Sequence, residues 1–240
     1  ALTYLAERGN IELTPFKPSR QNQSDSNNDQ QYPTGSTKQD ILAANEQAQA
    51  YFRALLTHPD HGSTARALID RRGISDDIVE RFGIGTSADR WDGLLMTIDG
   101  KGYNTQAFTD AGLLKTRDNG GQYDAMRNRL IFPICDQIGR VIGFGGRRIN
   151  DDDDPKYLNS PETLVFNKSR TLYGLNHAQR AIKRERVAVI VEGYTDVIAC
   201  HQHGVEHVVG TLGTALTKGH ATILRRLCDT VVLLFDGDQA

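Results

Sequence analysis

No apolar run in this 240-residue sequence is long enough to cross a bilayer, and nothing at its start resembles a secretory signal. The expected compartment is therefore the cytoplasm, with no membrane partner. Cysteine is scarce: Cys135, Cys200 and Cys228 form no C-x-x-C pair, and their odd number supports neither a zinc module within the chain nor a disulfide framework. Reduced, partly buried thiols are the expectation. Charge of one sign is missing too. A net charge of −2 gives no overall basic bias, so any nucleic-acid binding must come from a local patch. Phosphate binding of the P-loop type is not indicated, because no glycine cluster ends in G-K-[ST].

What is there is an ordinary globular composition, with 38% hydrophobic and 24% charged residues. The length suits one large domain or two small ones. Residues 1–16 read as a short amphipathic helix ending at Gly9, then a brief extended piece, and the absence of an initiating methionine suggests a fragment. Residues 17–39, rich in Gln, Asn, Ser and Asp, cannot bury enough apolar surface to offset their ordering entropy and are expected to be a flexible linker.

From Asp40, a candidate N-cap, the pattern predicts a helix over Ile41–Thr57. Further helices are predicted from about Ser63 to Arg71, over Asp76–Phe82 behind Ser75, and at Trp91–Asp99 and Ala107–Gly112. Near Arg127 the texture becomes β-rich. Arg129–Ile134 and Arg140–Phe144 flank the turn signal Asp136–Gly139. Gly143, Gly145 and Gly146 read as a glycine-rich turn, and Asp151–Asp154 as a solvated acidic loop.

The last third alternates: strand Val187–Val191, helix Tyr194–His203, strand Val205–Thr211, helix Lys218–Cys228, strand Thr230–Phe235. That order implies a parallel sheet with right-handed crossovers. The sequence stops just after the third strand, where another helix is expected, so this end also looks cut.

Ligands of open parallel sheets bind beyond the carboxyl ends of the strands. Glu192-Gly193 follows the first strand here, and Asp236-Gly237-Asp238 follows the third. Carboxylates brought to one edge repel and raise each other's pKa unless a cation lies between them. Their oxygens suit Mg²⁺ or Mn²⁺, which would keep open positions for phosphates. Phosphoryl or nucleotidyl transfer and phosphodiester cleavage all remain open on this reading. Upstream, Arg127, Arg129, Arg140, Arg147, Arg148, Lys156, Lys168 and Arg170 lie on turns and short strands, a pattern suited to a groove that tracks phosphates. His201, His203 and His207 cluster near the first crossover but are not expected to hold a metal.

The segments RNRLIFPICDQIGRVIGFGGR (127–147), PKYLNSPET (155–163), FNKSRTLYGL (166–175), VEGYTDVIA (191–199), GTLGTALT (210–217) and LFDGDQA (234–240) resemble the catalytic core of bacterial DnaG-type primases. The E-G-Y-x-D and D-G-D pieces alone mark only a TOPRIM domain, whereas PKYLNSPET and GFGGR are far more particular to primases. The resemblance spans about residues 40–240. It implies an α/β fold: a truncated TOPRIM parallel sheet (186–240) preceded by a mixed α+β basic subdomain (40–185), with 1–16 as the tail of a missing zinc-binding module.

On the matching residues, Glu192 resembles a metal ligand or acid–base group, Asp236 and Asp238 metal ligands, and Asp196 the acidic residue ending E-G-Y-x-D. Arg127 and Arg129 fall in the basic stretch, Arg147 and Lys156 match a ridge for template and nucleotide, and Asn159 and Lys168 lie near the incoming nucleotide. The implied activity is metal-dependent synthesis of short RNA primers on single-stranded DNA during replication. Mg²⁺ or Mn²⁺ would sit on the carboxylates, and Zn²⁺ only in the missing module. Implied partners are the DNA template, ribonucleoside triphosphates, and the replicative helicase through a missing carboxy-terminal region, around a monomer. With aromatics at 7%, backbone charge rather than base readout should dominate template affinity. Two rivals stand beside this reading: a TOPRIM nuclease or topoisomerase, for which Tyr194 is the candidate nucleophile, and a TOPRIM-like protein that only binds nucleic acid.

Overall fold

The computed structural model describes residues 35–150, 153–213 and 215–235. The expected tail at 1–16, most of the expected linker, Asp151, Asp152, Asp236 and Asp238 lie outside the described residues.

The first helix, α1 (Lys38–Thr57), begins earlier than its apolar pattern suggests, so residues 38 and 39 are helix rather than linker. Its N-cap is Thr37, not Asp40. The Thr37 hydroxyl accepts the Asp40 N–H at 3.2 Å, and the Asp40 carboxylate accepts the Thr37 N–H at 2.9 Å. Asp40 is thus the third-position partner of a capping box, a role its sequence context shares with that of an N-cap.

Helices α2 (Ser63–Arg71) and α3 (Asp76–Phe82) follow as the pattern predicts. Gly83 ends α3 in the left-handed conformation, at φ 64°, where a side chain would be strained. After β1 (Gly85–Thr86) come α4 (Gly93–Lys101) and α5 (Thr105–Asp110), each displaced about two residues from expectation. A small hairpin, β2 (Leu114–Thr116) with β3 (Gln122–Asp124), leads into the main antiparallel sheet.

That sheet has the order β1-β4-β5-β6, with β4 (Arg129–Cys135), β5 (Val141–Arg148) and β6 (Tyr157–Asn159). Both of its faces are covered, so β4 reads as one apolar run. Leu130, Phe132 and Ile134 pack toward α2 and α3, while Ile131 joins Phe52 of α1, Leu94 of α4 and Phe108 of α5 on the other side. Truncating a buried aromatic such as Phe132 would cost about 3–5 kcal/mol.

The expected turn at Gly143, Gly145 and Gly146 is instead the body of β5. A Cβ on Gly145 would lie 2.4 Å from Cζ of Tyr194, and one on Gly146 2.9 Å from Cδ of Arg129. These glycines admit side chains from other elements onto the strand, not a phosphate onto its backbone.

The parallel sheet has the order β8-β7-β9, with β7 (Val187–Val191), β8 (Val208–Gly210) and β9 (Thr230–Leu233). Helix α6 (Leu175–Glu185) precedes it, α7 (Tyr194–Gln202) joins β7 to β8, and α8 (Lys218–Leu224) joins β8 to β9. Ala188 and Ile190 face Leu175, Ile182 and Leu224, while Val191 and Val197 join the core already built from Phe132 and Ile134. One hydrophobic core is therefore shared by the two sheets, which fixes the parallel strands against the antiparallel ones. In the edge strand β9, Val231, Val232 and Leu233 are exposed.

Candidate active site and nucleic-acid cleft

Glu192 follows β7 directly and is exposed. Its carboxylate has no hydrogen-bond or ion-pair partner among the described residues. The turn beneath it is held by Asp196, whose Oδ2 accepts the Gly193 N–H at 3.0 Å. A Cβ at position 193 would lie 2.7 Å from that same oxygen, so a side chain there would push the Asp196 carboxylate aside. Asp196 is thus both a helix cap and an acid with a second oxygen to offer.

Strand β9 runs parallel to β7 with Leu233 opposite Ile190, and the Leu234 N–H donates to the Ile190 carbonyl at 2.9 Å. The chain therefore leaves β9 at the edge where Glu192 stands. Among the described residues no three His, Cys, Asp or Glu side chains form a metal-binding group. The unpaired Glu192 oxygens and the remaining Asp196 oxygen are the hard donors a divalent cation such as Mg²⁺ takes, so the residues present fit one.

Tyr194 locks this turn to the antiparallel sheet. Its ring, 4% exposed, stacks parallel on Phe132 at 5.4 Å between centroids and meets Tyr173 edge-on at 4.7 Å. Its hydroxyl donates to the side-chain oxygen of Asn159, and the Asn159 amide donates to the Leu212 carbonyl at 3.0 Å. Burial, with a smaller contribution from Tyr157, pushes the Tyr194 phenol far above its ordinary pKa. A nucleophilic tyrosine needs access and an ionisable hydroxyl. Tyr194 has neither, and the topoisomerase reading loses its candidate.

Next along β6 stand Tyr157 and, just before the strand, Lys156. The Arg147 guanidinium donates to the Tyr157 hydroxyl at 2.5 Å and lies 5.3 Å from the ring centroid. A further cation, Arg72, joins this ridge from the end of α2. Burial first, and then the nearby Arg147 charge, lowers its pKa. Arg72 was not singled out from sequence, because 75 positions (147 − 72) separate two residues that only the fold brings together. The R-R-G at the end of α2 was the available signal. Lys168 lies in a single 3₁₀ turn (Lys168–Arg170) pinned by its backbone, with its N–H on Glu162 at 2.9 Å and its carbonyl receiving His220 Nε2 at 2.9 Å.

A cavity of about 420 Å³ opens beside the hairpin and the start of β4, lined among others by Trp91, Lys115, Tyr123, Arg127 and Arg129. The Arg127 guanidinium lies 3.7 Å from the Trp91 ring centroid and donates to the Asp124 carbonyl at 2.9 Å. Arg117 sits 5.1 Å from Trp91 and 5.2 Å from Tyr123. Arg129 differs from its neighbours. It is 5% exposed, and its guanidinium donates to the Pro155 carbonyl at 2.8 Å, tying β4 to the approach of β6. Asp89, Asp153 and Asp154 also line the cavity, so its net charge is small and its character comes from the aromatic and guanidinium planes.

The remaining side chains singled out from sequence do other things. Arg140 pairs with Asp136 at 2.8 Å within its own turn, and Arg148 with Asp154 at 3.3 Å. His201 is buried with Nε2 on the Val208 carbonyl at 2.9 Å, and His203 Nδ1 contacts the Ala199 carbonyl at 2.8 Å.

Comparison with known proteins decides the family. The family model described as the DNA primase catalytic core, N-terminal domain, matches residues 51–179, more than half of the chain. The chain belongs to the DNA primase catalytic core family. A Toprim domain model matches residues 186–240 of the same primase core. The DNA primase of Clostridium acetobutylicum is 42% identical over 241 residues, covering 100% of this chain but 38% of that protein. This primase core thus spans well under half the length of that curated relative.

Among solved structures, the RNA polymerase domain of Mycobacterium tuberculosis primase DnaG, in complex with a double-stranded DNA oligomer with a 6-nucleotide overhang, matches with a TM-score of 0.79. It is 36% identical and covers 84% of this chain and 65% of that one. The DnaG primase catalytic domain bound to ssDNA matches with a TM-score of 0.77 at 41% identity, covering 83% and 64%. The α/β fold with its parallel Toprim sheet is shared with these.

Proposed function

We propose that this chain carries the RNA-polymerising core of a bacterial primase, which builds short RNA primers on single-stranded DNA at the replication fork in the cytoplasm. The observation that carries the reading is the joint at Tyr194. It sets a free carboxylate, Glu192, at the carboxyl edge of a parallel sheet, against a sheet bearing Arg147, Lys156 and Tyr157. Such an enzyme needs both a metal edge and a surface for phosphates, held in fixed relation. The working division is a basic subdomain over 40–185 and a Toprim domain over 186–240.

In the reaction, the 3′-hydroxyl oxygen of the growing RNA bonds to the α-phosphorus of a ribonucleoside triphosphate. Pyrophosphate leaves and the hydroxyl loses its proton. Glu192, with Asp236 and Asp238, would hold Mg²⁺ or Mn²⁺, which when bound supplies charge neutralisation for the phosphates and lowers the hydroxyl pKa. Asp196 keeps the Glu192 turn in place. Arg147, Lys156 and Arg72 bind template or triphosphate oxygens. Asn159 and Lys168 border the incoming nucleotide, while Arg127 and Trp91 grip a template base, with Arg129 supporting the cleft wall. Zn²⁺ and the replicative helicase belong to regions outside this chain, and the core acts as a monomer.

The test is primer synthesis on single-stranded DNA with Mg²⁺ and labelled ribonucleotides by the full-length protein, beside Glu192→Gln and Asp236→Asn. Short RNA from the wild type alone supports the proposal. DNA cleavage without RNA would replace it with a Toprim nuclease.

A further inference from the structure

A second groove, of about 730 Å³, lies on α6 away from the cleft just described. It is lined by Arg81, Asn176, His177, Arg180, Lys183 and Arg184, with Glu206, Gln179 and Ala181. Its charge is lopsided: four cations against the single carboxylate of Glu206. That carboxylate is already engaged by Arg81 at 3.0 Å, and Arg184 pairs with its chain neighbour Glu185 at 2.8 Å. Arg180 and Lys183 make no ion pair or hydrogen bond among the described residues.

Helix α6 buries Leu175, Ala178, Ala181 and Ile182, so its helical period turns 176, 180, 183 and 184 outward as one stripe. Cations along it recur about one turn, ~5 Å, apart. The Gln179 amide is held by the Gln137 carbonyl at 2.8 Å, which steadies this face of the helix. Glu206 and Arg184 belong to segments leading into the amino ends of β8 and β7, so the groove lies toward the edge of the sheet opposite Glu192. It is not part of the proposed metal edge.

We infer that this groove binds the sugar–phosphate backbone of a nucleic-acid strand, as a second contact beyond the Trp91 cleft. The inference rests on the reading of this chain as a nucleic-acid polymerase. The chemistry of the lining selects backbone over base. No exposed aromatic ring stands in the groove: Phe82, packed on His177 at 4.6 Å, is buried at 5%. The groove offers no exposed Trp, Tyr or Phe ring to a base, whereas the Trp91 cleft pairs two such rings, Trp91 and Tyr123, with two guanidinium planes. Spaced cations without an exposed aromatic platform bind phosphates regardless of sequence. The field of the groove also registers on His177, whose imidazole is held to a pKa of about 4 by burial, then by the Arg81 charge and His201.

The experiment is equilibrium binding of fluorescently labelled single-stranded DNA to the 240-residue chain, in short and long oligonucleotides, across a salt series. Arg180→Ala/Lys183→Ala and Arg127→Ala are compared with the wild type, and folding is checked by circular dichroism. For the long strand, the double variant should lower the slope of log K against log salt by about 1.4, two contacts at about 0.7 each. The oligonucleotide too short to leave the Trp91 cleft should be indifferent to it. Unchanged long-strand affinity and slope, with Arg127→Ala still weakening binding, would overturn the groove and leave the polymerase reading standing. Absence of DNA binding by the wild type would overturn both. A third arm uses inorganic tripolyphosphate: if it shifts the His177 resonance in the wild type while DNA affinity ignores the double variant, the backbone assignment is wrong and the groove takes a free polyphosphate.

Discussion

The Tyr194 hydroxyl donates its hydrogen to the side-chain oxygen of Asn159, two residues past Glu192 on one side and at the end of β6 on the other. This bond, with the stack on Phe132, is how the antiparallel sheet fixes the Glu192 turn. Tyr194→Phe should keep the stack and lose the bond, lowering stability by about 1–2 kcal/mol as Asn159 loses a partner. Gly145→Ala should cost at least as much, about 1–3 kcal/mol, because the new Cβ overlaps the ring itself. Urea denaturation midpoints check both. Wild-type stability for Gly145→Ala would mean that the ring is not seated there.

Trp91 and Arg127 form a stacked pair at 3.7 Å, and they should contribute to DNA affinity in different ways. Trp91→Ala removes a stacking platform, worth about 1–3 kcal/mol per base, and should weaken binding equally at all salt concentrations. Arg127→Ala removes a phosphate-competent charge and should also flatten the salt dependence by about 0.7. A salt series on each variant separates the two. Identical slopes for both variants would show that Arg127 acts only by stacking.

Asp196 has two candidate roles that one pair of substitutions can part. Its Oδ2 caps the Gly193 N–H, so Asp196→Ala should lower stability by about 1 kcal/mol. Asp196→Asn keeps an acceptor and should leave stability nearly unchanged. Were primer synthesis by the full-length protein lost in both variants, the carboxylate charge would be needed for the reaction. Synthesis retained in Asp196→Asn would leave Asp196 as a cap alone.

The parallel sheet was legible because VAVIV and TVVLLF are short, β-branched apolar runs of strand length, and because helical stretches separate them. The short strands β1, β2, β3 and β6 were not legible, since two or three residues cannot display a period, whereas the equally short β8 was legible from its place in the strand–helix alternation. Helix α6 was missed although Leu175, Ala178 and Ile182 have helical spacing, because two of its four apolar residues are alanines and its apolar stripe is correspondingly weak. Gly143, Gly145 and Gly146 were misread for a physical reason. A glycine in a strand and a glycine in a turn look alike until the ring that fills the vacated space, here that of Tyr194, is known. Glu192 could be placed at a strand end from sequence, but Arg72 could not be placed beside Arg147, since that pairing depends on how α2 packs on the sheet.

His177 and His201 together predict how stability varies with pH. Burial lowers the pKa of both, aided by the Arg81 charge, and His177 falls to about 4. Around them stand Arg81, Glu206 and His207, with Phe82 packed on both rings. In the unfolded chain each histidine titrates near 6.5, so between roughly pH 6.5 and 4 the unfolded state binds more protons than the folded one. Stability should therefore be full above pH 6.5 and fall as pH drops toward 4. For His177 the loss should be on the order of 1–2 kcal/mol after allowance for solvent at its exposed edge. Thermal midpoints measured from pH 7.5 to 4.5 should decline in the wild type and decline less steeply in His177→Gln, which cannot take up the proton. A variant curve parallel to the wild type would assign the acid sensitivity to groups other than His177.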